Sequence, residues 1–181
     1  MNFNDVKNNK TFCVLPFIHS ATLTDGSQPL CCVSENSSNV NLNSDTIGDH
    51  WNSEYMQKTR KNMLKGAPVK DCRRCYEEES NGYRSHRVIE NKAWSDKLGD
   101  ERISEIVSEV SRDGSTQAGV IAIDLRLGNT CNLQCVMCQP RESSKWKAVS
   151  KKFLGALSDE KLTKEWEYKN DIKVQNYEWY R

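Results

Sequence analysis

The chain has 181 residues, with 26 basic and 25 acidic side chains and a formal net charge of +1 at pH 7. This balance argues against nucleic acid or an anionic membrane surface as a partner. The mean hydropathy of −0.78 describes a polar chain, and no apolar run approaches the roughly 20 residues that cross a bilayer. Because the N-terminal sequence has no apolar segment typical of a signal peptide, the sequence predicts a cytoplasmic protein.

Cysteine is the unusual residue type of this chain, which contains eight of them. Disulfides persist mainly in secreted proteins, and this sequence has no recognisable secretory signal. Metal binding or redox chemistry is therefore a stronger interpretation of the cysteines than a disulfide framework.

The chain begins with a polar lead-in over residues 1–10. Residues 12–19 form a strand-like run that contains a proline, and residues 28–33 form a second strand-like run. Asp25-Gly26 between the two runs predicts a tight turn, so we expect a hairpin here. This hairpin would bring three cysteines close together: Cys13, Cys31 and Cys32.

A loop and a helix are predicted next. Residues 34–48 are rich in Ser, Asn and Asp, which is typical of a loop. Asp49 is in position to cap a helix, and the apolar face of that helix has residues at helical spacing: Trp51, Tyr55, Met56, Thr59 and Met63. Gly66 and Pro68 predict its end. The Cys-x-x-Cys segment 72–75 then opens another predicted helix.

The second half of the chain predicts two helices separated by a strand. Asp100 is in position to cap the first helix, whose apolar face is formed by four residues: Ile103, Ile106, Val107 and Val110. Asp113-Gly114 predicts its end, and residues 120–127 predict the strand. After Pro140 the spacing predicts one more amphipathic helix, on these apolar residues: Trp146, Val149, Phe153 and Leu157.

Four cysteines of the first half could form one metal site: Cys13, Cys31, Cys72 and Cys75. Four soft thiolates suit zinc and an iron–sulfur cluster about equally well. Cys32 is left over, and a buried apolar role is preferred to that of an alternative ligand, because free cysteine is among the most buried residue types. The histidines His19, His50 and His86 are expected in surface or capping roles rather than as ligands.

Three further cysteines, Cys131, Cys135 and Cys138, have C-x3-C-x2-C spacing and follow directly on the predicted strand. Three thiolates in one short loop can bind three corners of an iron–sulfur cube and leave the fourth iron open to a second molecule. A structural zinc site needs four protein ligands, and no cysteine or histidine follows Cys138. The open iron–sulfur site is therefore the favoured interpretation.

This loop resembles the signature loop of the radical S-adenosylmethionine (radical SAM) enzymes in its three cysteines, in the Asn-Leu pair after the first cysteine and in the strand before it. The resemblance implies a [4Fe–4S] cluster on Cys131, Cys135 and Cys138. S-adenosylmethionine would bind its open iron, with Met137 near the adenine; core packing of Met137 is the alternative. After one-electron reduction by a flavodoxin or ferredoxin, such a cluster converts S-adenosylmethionine to a 5′-deoxyadenosyl radical.

The upstream cysteines resemble the auxiliary-cluster domains called SPASM and, in the shorter form, twitch. The shared features are Cys13, Gly26 and Cys31 in this order, then the helix around Trp51, a glycine turn and a Cys-x-x-Cys pair. The resemblance implies an auxiliary [4Fe–4S] cluster held by four cysteines: Cys13, Cys31, Cys72 and Cys75. The order departs from the family, because the auxiliary domain there follows the catalytic barrel.

The resemblance implies an α/β fold in which a small α+β, cysteine-rich, twitch-like domain precedes the first strand and helix of an incomplete (β/α)6 radical SAM barrel. The expected segments are the lead-in over 1–10, the twitch-like domain over 11–90, a linking helix over 91–117 and the truncated start of the barrel over 118–181. A complete barrel of six strand–helix units, each of roughly 30 residues, needs on the order of 180 residues, more than the segment 118–181 provides. The Gly-Gly-Glu segment of the family's second strand is absent from this sequence.

We therefore expect the iron–sulfur-binding part of a radical SAM enzyme whose complete form modifies a peptide or protein. No catalytic side chain can be identified, and this chain alone is not expected to catalyse the radical reaction. The alternative is a non-catalytic iron–sulfur or zinc module with a structural or electron-transfer role.

Overall fold

The protein was analysed as a computed structural model that describes residue 6 and residues 9–34, 37–156 and 159–164. It is a mixed α/β protein that divides into two compact units. The first unit comprises the described residues up to Thr22 together with Ser27–Asp124, and the second comprises Leu23–Gly26 and the described residues from Leu125 onward. The first unit thus contains the described part of the predicted twitch-like domain except Leu23–Gly26, together with residues 91–117, the segment of the predicted linking helix.

The described elements are short, and helices are more numerous than strands. In chain order they are α1 (Leu15–Ile18), β1 (His19–Ala21), β2 (Ser27–Pro29), β3 (Ser37–Asn41), α2 (Ile47–Trp51), α3 (Glu54–Leu64), α4 (Arg73–Ser80), α5 (His86–Leu98), α6 (Asp100–Ser108), β4 (Ala122–Asp124) and α7 (Trp146–Ala156). A single 3-10 turn, Lys70–Cys72, leads directly into α4.

The strands form two separate two-stranded sheets within the described part of the chain. Strand β1 pairs in parallel with β4, so that His19 lies opposite Ala122, and β2 pairs antiparallel with β3. The predicted hairpin between residues 12–19 and 28–33 is therefore wrong. Pro16 lies in the first turn of α1, where a fixed φ and a missing N–H are tolerated, so the first run forms a helical turn and only its last residue, His19, belongs to a strand.

The predicted strand over 120–127 is also shorter than expected, because only β4 has strand geometry. Strand β3 was predicted as loop, since its residues are mostly Ser and Asn. Its antiparallel pairing with β2 stabilises an extended conformation that its own residue types do not favour.

The buried apolar side chains of the first unit form one core between α1, α3 and α6 and the segments that join them. The largest of them are Phe12, Phe17, Ile18, Trp51, Met56, Met63, Ile103 and Ile106. The apolar face predicted for α6 is confirmed for Ile103, Ile106 and Val107, which are buried, but the helix ends at Ser108, so Val110 does not belong to it. Asp100 is the first residue of α6 rather than its N-cap, which is Gly99.

Two consecutive helices replace the single predicted helix that begins near Trp51. Helix α2 starts after Thr46, whose hydroxyl accepts a hydrogen bond from the Asp49 N–H, while the Asp49 carboxylate accepts one from the Thr46 N–H. The prediction of Asp49 as the N-cap is wrong. The N-cap is Thr46, three residues earlier, and Asp49 is its partner in this capping box. Asn52 then interrupts the helix before α3.

We expect Thr46→Ala to lower the free energy of unfolding by about 1 kcal/mol, because the mutation removes one half of the capping box. Thr46→Ser keeps the hydroxyl and should recover most of the loss. Urea unfolding followed by circular dichroism measures both variants. Equal stability of the Ala variant and the parent protein would contradict the assigned cap.

The end of α3 has the predicted glycine. Gly66 has a φ of +74°, its N–H donates to the Met63 carbonyl, and the Ala67 N–H donates to the Asn62 carbonyl. These two hydrogen bonds define a Schellman motif, which satisfies carbonyl groups that the helix leaves without a partner.

One arginine of α3 is fully buried, although nothing in its sequence context predicts this. The Arg60 guanidinium lies 4.3 Å from the Trp51 ring centroid, and its Nε donates to the Pro16 carbonyl at 2.8 Å. Its Nη1 donates to the Gly114 carbonyl and to the Asn52 side-chain oxygen at 3.3 and 3.2 Å. Arg60 therefore connects α1, α2 and the turn that follows α6.

Gly114 is the closest point of that turn to α3. It has a φ of +91°, and a Cβ built at this position would lie 2.1 Å from the Gln57 carbonyl oxygen. Only glycine fits here, because a side chain would meet backbone atoms as well as an unfavourable φ.

The second unit is described as extended loops followed by α7. The helix predicted after Pro140 is confirmed, but Val149 and Phe153 of its apolar face are 42% and 47% exposed. Leu157, predicted on the same face, lies outside the described residues. Among the described helices, none has the length and apolar character that crossing a bilayer requires.

Candidate metal centres

Four cysteines of the first unit line one small cavity, although they come from three separate segments. Cys13 precedes α1, Cys31 follows β2, Cys72 ends the 3-10 turn, and Cys75 lies in the first turn of α4. We call this site the four-thiol cavity. These are the four residues that the sequence predicts as one ligand set, and the structure brings them together even though the predicted hairpin does not form.

Burial dominates the electrostatics of these thiols. It raises the pKa of Cys13 well above its usual value, and it raises the pKa of Cys31 to about 11 and that of Cys72 to about 12. The neighbouring thiols add to each of these shifts, because several negative charges in one small volume repel each other. Cys13, Cys31 and Cys72 are therefore neutral at physiological pH unless a cation is present to stabilise their thiolates.

Backbone N–H groups two residues further along oppose this trend at two of the sulfurs. The Leu15 N–H bonds to Cys13 and the Val33 N–H bonds to Cys31, and each bond lowers the pKa of its thiol. An N–H donor at a sulfur stabilises the thiolate form. Such donors also tune the potential of sulfur-ligated clusters.

An ion pair anchors the side of the four-thiol cavity formed by α4 and α5. The Arg87 guanidinium contacts both carboxylate oxygens of Glu79, and its Nη1 donates to the Phe12 carbonyl at 2.7 Å. Ser85, the N-cap of α5, donates to the same carboxylate at 2.5 Å. Burial would raise the pKa of Glu79, but the hydrogen bonds from Arg87 and Ser85 lower it.

A tyrosine–aspartate pair lies on another side. The Tyr55 hydroxyl donates to the Asp71 carboxylate at 2.8 Å, and Asp71 lines the four-thiol cavity. Burial, followed by the hydrogen bond to Asp71, raises the pKa of Tyr55 well above its usual value. Because Asp71 directly precedes Cys72, its hydrogen bond with Tyr55 holds the Cys72–Cys75 segment against α3.

The donor set of the four-thiol cavity suits a soft or borderline metal, since four thiols are the ligands of structural zinc and of [4Fe–4S] clusters. Its volume is about 20 Å³, on the scale of one water molecule. As the side chains lie, no three Cys, His, Asp or Glu residues in the described ranges form a group that could hold a metal ion. Metal binding therefore requires the sulfurs to draw together.

Cys32 does not belong to this set. It is exposed, and its sulfur lies 3.5 Å from Nε2 of His86. The prediction of a buried apolar role for Cys32 is wrong, because the chain turns after Cys31 and directs the next side chain away from the core. The contact also places His86 beside a thiol, a position that its polar sequence neighbours did not indicate. None of the eight cysteines forms a disulfide.

The second group of cysteines lies in the second unit, in residues 131–138, which we call the cysteine loop. Gly128, with a φ of +120°, precedes it, and a buried Asn129 accepts a hydrogen bond from the Ser144 N–H at 2.7 Å. The Cys131 N–H donates to the Ser144 hydroxyl, and the Trp146 indole N–H donates to the Cys135 carbonyl at 3.1 Å. The start of α7 thus holds the cysteine loop through its backbone.

The cysteine side chains of this loop are more accessible than those of the four-thiol cavity. Cys135 is exposed, whereas Cys131 and Cys138 are half-buried. The Leu133 N–H donates to the Cys131 sulfur at 3.4 Å, again from two residues further along. Met137 is 96% exposed, so core packing is the wrong alternative for this residue, and its expected role beside an adenine stays a prediction.

Comparison of the chain with models of known protein families, with curated proteins and with solved structures gave no match.

Proposed function

We propose that this chain is a metal-binding protein with two iron–sulfur centres and that it is the cluster-binding part of a radical SAM enzyme. The observation that carries the proposal is the convergence of Cys13, Cys31, Cys72 and Cys75 on one cavity, from three segments, in agreement with the ligand set that spacing and the resemblance predict. A convergence of this kind is not expected for cysteines that only fill the core.

The cysteine loop supports the second centre. Its three thiols would bind three irons of a [4Fe–4S] cluster through Cys131, Cys135 and Cys138, and the Leu133 N–H already faces one of the sulfurs. The exposure of Cys135 and Met137 leaves this side of the loop open to a small molecule. When bound, such a cluster supplies one electron to S-adenosylmethionine. A peptide or protein substrate, and a flavodoxin or ferredoxin as reductant, belong to the same proposal by resemblance.

A second candidate function is a zinc or non-catalytic module, and the size of the four-thiol cavity favours it. A volume of about 20 Å³ fits a single ion with smaller movements than a cubane cluster would need. In this case the upstream site would be structural or would transfer electrons without any radical reaction.

Iron counting after anaerobic reconstitution with iron and sulfide tests the proposal. We expect about eight irons per chain, falling to about four in the triple variant Cys131→Ala, Cys135→Ala, Cys138→Ala and also in the double variant Cys72→Ala, Cys75→Ala. Cys32→Ser serves as the matched control and should keep the full count.

Electron paramagnetic resonance of the reduced protein completes the experiment. S-adenosylmethionine should change the spectrum of the parent protein and of the Cys72/Cys75 variant, but not that of the triple variant. Zinc without any iron–sulfur charge-transfer absorption would refute the two-cluster proposal and support the zinc module.

A further inference from the structure

Cys32 and His86 lie together at the margin of the four-thiol cavity without belonging to its ligand set. The Cys32 sulfur is 3.5 Å from Nε2 of His86, which is the first residue of α5. His86 also lines the four-thiol cavity, whereas Cys32 is exposed. The pair therefore lies between solvent and the four buried or half-buried thiols.

A carboxylate stands behind the imidazole ring. Glu90, one helical turn after His86, has its Oε1 3.8 Å from Nδ1 of the ring, while its Oε2 accepts a hydrogen bond from the Trp94 indole N–H at 3.1 Å. Metal-binding histidines regularly direct their second ring nitrogen toward a carboxylate, which fixes the tautomer and orients the ring. At 3.8 Å the Glu90 carboxylate is too far from Nδ1 for a hydrogen bond, so it does not fix the tautomer as it lies. When Nδ1 carries the proton, the Nε2 lone pair is on the side of Cys32.

The distance between the sulfur and the nitrogen fits two ligands of one ion. Typical zinc bond lengths of about 2.3 Å to sulfur and about 2.0–2.1 Å to nitrogen, at a tetrahedral angle, separate the two donors by about 3.6 Å. The observed separation is 3.5 Å. One thiolate and one imidazole form a borderline donor set that suits Zn²⁺ and Fe²⁺.

We propose that Cys32 and His86 form a capture site that binds a divalent, thiophilic metal ion from solution and transfers it to the four-thiol cavity. This inference rests on the proposed metal binding by the four thiols. Two protein ligands leave the other coordination positions to water, so the bound ion stays exchangeable. When the ion is captured, the Cys32 thiol releases its proton to solvent. On transfer, the Cys32–metal and His86–metal bonds break as bonds to the inner sulfurs form; each inner thiol that binds releases its proton to solvent, and the Cys32 thiolate takes a proton up again.

Cadmium titration of the chain carrying Cys131→Ser, Cys135→Ser and Cys138→Ser tests the capture site, because the cysteine loop then contributes no thiolate. The absorption of the thiolate-to-cadmium band measures how many cadmium ions bind per chain. A competing chelator removes weakly bound ions, so titrations with and without it distinguish tight from weak equivalents. Stopped-flow mixing measures the rate of loading. We expect one tight equivalent at the four-thiol cavity and one weak equivalent at the capture site.

Adding Cys32→Ser or His86→Gln should abolish the weak equivalent and slow the loading of the tight one by about tenfold, with the final tight stoichiometry unchanged. Glu90→Gln should weaken the weak equivalent by about tenfold, because only the orientation of the ring is lost. Glu105→Gln, an exposed helical glutamate that contacts Arg102, is the matched control and should change neither quantity. Far-ultraviolet circular dichroism verifies that each variant is folded.

The outcomes separate this inference from the proposed function. A weak equivalent that survives both Cys32→Ser and His86→Gln overturns the capture site. An unchanged loading rate in these variants overturns the transfer step. If the tight equivalent is absent from the start while the weak one is present and sensitive to Cys32→Ser, the four-thiol proposal fails and the outer binding site stands.

Discussion

Arg60→Ala is expected to lower the free energy of unfolding by about 4 kcal/mol. The side chain is fully buried, and it donates to the carbonyls of Pro16 and Gly114 and to the side-chain oxygen of Asn52. Truncation removes this donor from the buried carbonyls of Pro16 and Gly114, whereas the Asn52 side-chain oxygen keeps its hydrogen bond from the Thr116 N–H. It also removes the cation that stacks on Trp51 at 4.3 Å.

Two further variants identify the cause of this effect. Arg60→Met keeps much of the volume but none of the donors, so it should be nearly as unstable as Arg60→Ala if hydrogen bonding dominates. Arg73→Ala is the matched surface control, since Arg73 is exposed and pairs with Glu77 within α4, and it should change stability by no more than about 0.5 kcal/mol. Urea unfolding measures all three. A loss below about 1 kcal/mol for Arg60→Ala would contradict a structural role for the buried guanidinium.

Acid should destabilise the first unit through His50. Burial, with a smaller contribution from the positive charge of Arg60, lowers the pKa of His50 from 6.5 to about 4. The unfolded chain therefore binds more protons than the folded chain between these two values. The stability due to neutral His50 is complete above about pH 6.5 and is lost as the pH falls toward 4, by about 3 kcal/mol in total.

The variant His50→Asn checks this prediction, because it keeps a polar side chain near the Ser38 hydroxyl, which lies 2.9 Å from Nδ1 of His50. Its free energy of unfolding should depend less on pH than that of the parent protein between about pH 7 and pH 4. Burial also lowers the pKa of His19. The pH profile of His19→Asn therefore measures how much this second histidine contributes to the pH dependence of the free energy of unfolding. Parallel pH profiles for the parent protein and His50→Asn would refute the assignment to His50.

The sequence predicts correctly those elements in which the local residue pattern favours the same structure that burial in the core stabilises. The spacing of Ile103, Ile106 and Val107 is helical, and all three are buried in α6. Gly66 supplies the positive φ that the end of α3 requires. The run over 12–19 misleads because its apolar composition suits a strand, whereas Pro16 starts a helical turn.

Features that depend on tertiary position were not predictable in the same way. Strand β3 has residues typical of a loop, and only β2 gives it a partner. Arg60 lies on the buried face of α3, where arginine is rare, because Trp51 and three oxygen acceptors meet it there.

The four-thiol set was predictable because the spacing of its cysteines, with Gly26 and the Cys-x-x-Cys pair, resembles a known ligand pattern. The pairing of Cys32 with His86 was not, since it depends on where α5 begins relative to the turn after β2. The metal itself and the radical SAM assignment stay predictions. The cysteine side chains of the cysteine loop do not form a metal-holding group as they lie, nor do any other described residues.

The parallel pairing of β1 with β4 has a consequence for synthesis of the chain. His19 lies opposite Ala122, so the two strands are about a hundred residues apart, a distance that a ribosome covers in roughly 5–20 s. All four cysteines of the four-thiol cavity are made before β4. During this interval β1 lacks the strand β4 with which it pairs, so the first unit is incomplete. The four cysteines can therefore bind metal ions before the first unit has folded.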